Sequence, residues 1–98
     1  MAQVEANLQS KIISWLKING VFVIKTRVLP GVPVGTPDII GLYGNKWLAI
    51  EVKASSTAKY RPGQYETLRR LRDGNNWVYK VYPENWPQIK EELAKEFL

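Results

Sequence analysis

The 98-residue chain contains no cysteine and no histidine. Without cysteine it forms no disulfide and offers zinc no thiolate, and without histidine it lacks the commonest transition-metal ligand and neutral-pH general base. Catalysis, if there is any, must run on carboxylates, lysine, hydroxyls or a hard cation held by oxygen. Repeats, linkers and low-complexity segments are also missing, and no apolar run approaches the roughly 20 residues that span a bilayer, so no membrane partner is expected. The opening MAQVEANLQSKIISWLK has no basic start, apolar block and small-residue cleavage site, so the expected location is intracellular.

Hydrophobic residues make up 45% and charged residues 23%, which suits one soluble domain over residues 1–98 with a single modest core. Fourteen Lys and Arg against nine Asp and Glu leave a net charge of +5, which suits a polyanionic partner such as nucleic acid. Many small basic proteins bind no nucleic acid, so charge alone does not decide it.

From about Gln3 to Ile18, Leu8, Ile12, Trp15 and Leu16 recur at helical spacing, and Asn19-Gly20 ends the helix. VFVIKT (21–26) reads as a strand, and RVLPGVPVGTP, with three prolines and two glycines, as a loop. DIIGLY and KWLAIEVK form a hairpin about Gly44-Asn45. After the polar loop ASSTAKYR come a helix PGQYETLRRLRD, a strand WVYKVY and a final helix WPQIKEELAKEFL. The order α, β, β, β, α, β, α predicts an α/β fold, one central mixed sheet with helices on its faces.

Alternation along the second hairpin strand puts Trp47, Ala49, Glu51 and Lys53 on one face and Leu48, Ile50 and Val52 on the other. A symmetric two-residue turn pairs Tyr43 with Lys46, Ile40 with Ala49 and Asp38 with Glu51; a three-residue loop would move Asp38 to the other face. Directly opposed side chains have Cβ atoms about 5 Å apart, so two carboxylates there repel unless a cation lies between them. A magnesium ion, content with one or two carboxylates, is the natural candidate. Lys53 then stands where it can orient or help deprotonate an attacking water and stabilise charge on phosphorus. The plainer reading of Glu51 and Lys53 is a weak salt bridge on a solvent-facing side of the strand.

On a helical wheel, Glu5 falls in line with Leu8, Ile12 and Leu16, and Gln64 falls with Leu68 and Leu71. Each is either a polar group aimed at the sheet or part of a first turn open to water. Lys59, Arg61 and Arg69, with Arg70 and Arg72, lie on the loop and helix after Glu51 and are candidates to hold phosphates; so, more remotely, are Lys25 and Arg27. A solvated helix face is the simpler account of Arg69 and Arg70. Trp47 is read as core rather than a base-stacking platform, and Trp77, Tyr82 and Trp86 as core or interface.

GTPD, then IEVK, then RPGQ, with an acidic residue on the first helix, resemble the VRR-NUC branch of the PD-(D/E)XK nuclease superfamily from Glu5 to WVYKVY. The resemblance implies a restriction-endonuclease-like core in which Asp38, Glu51 and the Val52 carbonyl bind Mg2+ or Mn2+ and Lys53 activates or positions water. Glu5 would help arrange the metal or its water, and Gln64 would orient water or the lysine. It also implies a DNA phosphodiester as substrate. Small stand-alone members, often viral and then at work in the host cell cytoplasm, act as homodimers on branched DNA such as Holliday junctions. The expected activity is that of a metal-dependent endodeoxyribonuclease; the rival is a nucleic-acid-binding module that keeps the fold without the chemistry.

Overall fold

A computed structural model describes residues 3–26, 30–74 and 77–97. The elements run α1 (Gln3–Ile18), β1 (Phe22–Lys25), β2 (Ile39–Tyr43), β3 (Lys46–Val52), α2 (Gln64–Asp73), β4 (Trp77–Val81) and α3 (Trp86–Glu96). Helix α1 ends as its glycine requires. Gly20 takes φ +83°, and the N–H groups of Gly20 and Val21 cap the carbonyls of Lys17 and Leu16.

Four strands form one sheet in the order β1-β2-β3-β4. The first three are antiparallel neighbours, whereas β4 runs parallel to β3 after the α2 crossover, so the sheet is mixed. The turn at Gly44-Asn45 holds the symmetric register, with Tyr43 opposite Lys46, Ile40 opposite Ala49 and Ile39 opposite Ile50. Continued one residue, it sets Asp38 across from Glu51.

One sheet face carries the core. Leu8, Ile12 and Leu16 of α1 and Trp86, Ile89 and Leu93 of α3 close over Ile39, Leu48, Ile50, Val52 and Val81. Trp86 belongs to this core and meets Trp15 edge to face at 5.6 Å, and Trp77 packs against it half-buried. Trp47 does not: it is 48% exposed, at the end of its strand face away from Lys53, where Gln64 at the start of α2 docks. The expectation of a core Trp47 is corrected accordingly. Among the described residues no helix is long and apolar enough to cross a membrane.

Candidate active site

The face opposite the core is organised in cross-strand rows. Phe22, Leu42 and Trp47 make one, Ile24, Ile40, Ala49 and Val78 the next. The third contains Asp38, Glu51 and, on β4, Lys80, the parallel partner of Glu51. Thr26 extends it on the other side, since its backbone N–H and its hydroxyl both donate to the Asp38 carbonyl.

Glu51 and Lys53 do not lie on an open face. Glu51 is 1% and Lys53 7% exposed, covered by the start of α2 and the loop before it. Lys53 Nζ lies 3.3 Å from Glu51 Oε2 and donates to Gln64 Oε1 at 3.2 Å. The same Gln64 oxygen accepts the Arg61 backbone N–H at 2.7 Å, which fixes a fully buried amide at the head of the helix. Tyr60 closes the side, its ring beneath both Lys53 and Lys80 at 5.8 and 5.3 Å. Lys80 in turn ties down the covering loop by donating to the carbonyls of Ser56 and Ala58.

Asp38 is held from the opposite side. Its Oδ2 accepts the Val52 backbone N–H at 2.9 Å, tying the carboxylate to the strand that carries Glu51. The loop before it docks on the N-terminus of α2 through glycine. Gly35 has φ +86°, and a Cβ there would strike the Gly63 carbonyl and the Thr67 hydroxyl. Contact between GTPD and RPGQ is thus backbone on backbone, and it brings Arg61 to Asp38. Arg61 Nη2 stands 3.6 Å from Asp38 Oδ1 and 3.9 Å from Glu51 Oε2.

Burial pushes the Glu51 carboxyl above its usual range, and the Asp38 charge adds to the effect; the Gln64 amide and the Lys53 ammonium oppose it. Among the described residues, Glu51 Oε1 and Gln64 Nε2 are buried without a hydrogen-bond partner. An orphaned carboxylate oxygen beside a second carboxylate is a donor set for a hard cation. Magnesium, which keeps several waters, fits two carboxylates.

Four of the five expected catalytic residues, Asp38, Glu51, Lys53 and Gln64, come together here. Glu5 is left out: it is half-exposed in the first turn of α1, which packs on the core face, and no third carboxylate, histidine or cysteine joins the other two among the described residues. The polar residue that α1 buries is Gln9, 2% exposed, with its Oε1 unpartnered among the described residues. Of the phosphate candidates, Lys59 is exposed on the covering loop and Lys25 at the end of β1. Arg69 is exposed and paired with Glu66 on its own helix at 2.9 Å, as a solvated helix face would be. Arg27 lies outside the described residues. Tyr60 and Lys80 carry no sequence signal, since their roles depend on where β4 lies.

Comparison of the chain with protein-family models, with curated proteins and with solved structures returns no match.

Proposed function

We propose that the protein is a divalent-metal-dependent endodeoxyribonuclease of the VRR-NUC type with the PD-(D/E)XK core. The observation that carries the reading is the buried Glu51–Lys53 pair, 3.3 Å apart, set against Asp38 and oriented by Gln64. A stabilising role alone is a poor account of it. Taking two charges out of water costs several kcal/mol per ion, and packed apolar residues at such a site are often as stable or more so.

Asp38, Glu51 and the Val52 carbonyl are the groups assigned to Mg2+ or Mn2+. A cation bound there supplies Lewis acidity to the phosphate and lowers the pKa of a coordinated water. Lys53, aimed by the Gln64 oxygen, holds the attacking water for in-line displacement, in which a new O–P bond forms as the ester P–O bond breaks. Its ammonium also stabilises charge growing on the phosphoryl oxygens. The net charge of +5 favours a DNA backbone, and Lys59 and Lys25 stand ready to meet flanking phosphates. The proposed place of action is inside the cell.

The proposed substrate is branched DNA, of the Holliday-junction kind, cut by a homodimer that sets one site on each of two strands. The apolar row whose ends, Phe22 and Trp47, are exposed is the surface assigned to the second copy. Incubating the protein with four-way, flap, duplex and single-stranded DNA in Mg2+ or Mn2+ tests the reading. Cleavage of the four-way junction is expected. Binding without cleavage of any of the four substrates would leave the non-catalytic binding module in its place.

A further inference from the structure

Arg61 was expected only as a phosphate contact, and its position is more specific than that. Its guanidinium faces both site carboxylates, 3.6 Å from Asp38 Oδ1 and 3.9 Å from Glu51 Oε2. Both separations exceed hydrogen-bonding range, so charge rather than directed bonding holds it. The side chain is half-exposed, at 50%, while the backbone beneath is fixed by the bond from Arg61 N to Gln64 Oε1 and followed by Pro62. An anchored base with a loosely held, solvent-reachable head can change partner at little cost. The head also borders a cavity of about 330 Å³ between the proline-rich loop and the start of α2, lined by Thr26, Val34, Thr36, Asp38 and Pro62 among others. That gives it somewhere to go.

Two carboxylates side by side in a protein without bound metal need a positive charge, and the guanidinium supplies one. A divalent cation bound by the same two carboxylates competes for the same negative charge and repels the guanidinium. We propose that Arg61 is an exchangeable counter-cation. It neutralises Asp38 and Glu51 before metal arrives, is released when a divalent cation takes them, and then grips a DNA phosphate at the mouth of the cavity. The proposal rests on the metal-site reading given above, and it makes metal binding and phosphate binding act on one side chain in succession. Arginine suits the second role because its planar fork meets phosphate oxygens in pairs.

The test is calorimetric titration of Mn2+ into the EDTA-treated protein, comparing wild type with Arg61→Gln and Arg61→Lys. Loss of two ion pairs made by a half-exposed guanidinium should let Arg61→Gln bind Mn2+ about ten-fold more tightly, while Arg61→Lys, which keeps the charge, stays close to wild type. Affinity for four-way DNA should move the other way. Arg61→Gln should lose about ten-fold in Ca2+, which takes the same hard oxygen ligands, and little in EDTA, where the guanidinium is still engaged with the carboxylates. Mn2+ affinity unchanged by Arg61→Gln, or an equal loss of DNA affinity with and without Ca2+, overturns the exchange and leaves the metal site standing. Mn2+ binding to neither wild type nor variant overturns both.

Discussion

Along one face of the sheet, Phe22 and Trp47 lie open to solvent on either side of half-buried Leu42, whereas four residues further along each strand the row of Asp38 and Glu51 is roofed by α2 and the loop before it. Phe22 is 67% exposed and Glu51 1%. Proteins ordinarily do the reverse with aromatics and carboxylates. The crossover helix could have stabilised the fold by covering the aromatic end and leaving the charges in water. It covers the charges, so this end of the face is arranged for what buried charges can do, at a cost in stability. The face on the other side of the same strands, with Ile39, Leu48, Ile50 and Val52, supplies the core that offsets that cost.

Substitutions that break the comparison should therefore separate activity from stability. The largest effect is expected of Asp38→Ala or Glu51→Ala, which should lower cleavage on the order of 10³-fold or more, the equivalent of several kcal/mol of lost metal-assisted stabilisation. DNA binding should be largely kept. Wild-type cleavage in either variant would remove that residue from the site. On the opposite face, Ile50→Ala should cost about 2–5 kcal/mol in urea unfolding, since it empties a fully buried position, yet leave the rate per folded molecule near wild type. Lys53→Ala should slow cleavage about 10²-fold, as expected for losing a transition-state stabiliser. A rise in KM with kcat unchanged would instead make Lys53 a binding residue.

The strands around the site were legible because their signals are local. Alternation assigned Glu51 and Ile50 to opposite faces, and the Gly44-Asn45 turn fixed a register that runs to Ile39 opposite Ile50 and, continued one residue, sets Asp38 across from Glu51. What alternation does not say is what covers each face. A charged residue four positions from an aromatic on the same strand face reads as solvent-facing until the landing place of α2 is known, and Trp47 reads as core for the same reason. Lys80 joins Glu51 only because β4 returns parallel beside β3, and Arg61 reaches Asp38 only because Gly35 and Gly63 let two loops touch. Both are long-range events without a short sequence pattern. Glu5 shows the limit of the helical wheel, which gives the inward direction and not the height on the sheet; α1 turns Gln9 inward instead.

The open end of the face can be sharpened separately. If Phe22 and Trp47 meet a second copy, Trp47→Ser should weaken self-association about ten-fold or more in sedimentation equilibrium, as expected for a tryptophan at the centre of an interface. Monomer stability should change by no more than about 0.5 kcal/mol, because the residue is exposed within one chain. A monomeric wild type at all concentrations tested would take the dimer away.

The smallest effect concerns the covered end and is read with EDTA present. The Glu51 carboxyl sits above its ordinary value of 4.5 because it is buried and because Asp38 lies beside it. A carboxyl whose folded value is raised holds its proton more tightly in the folded state than in the unfolded one. Its contribution to stability is therefore fully present below 4.5 and is lost as pH rises through the raised folded value, above which the folded protein carries an unwanted buried charge. Glu51→Gln carries no such proton. The Tm of Glu51→Gln minus that of wild type should be smallest below 4.5, increase with pH across that window and then level off. Parallel Tm profiles for the two proteins would mean that folding does not strain Glu51. The contrast between the covered and open ends of the face would then be one of exposure alone.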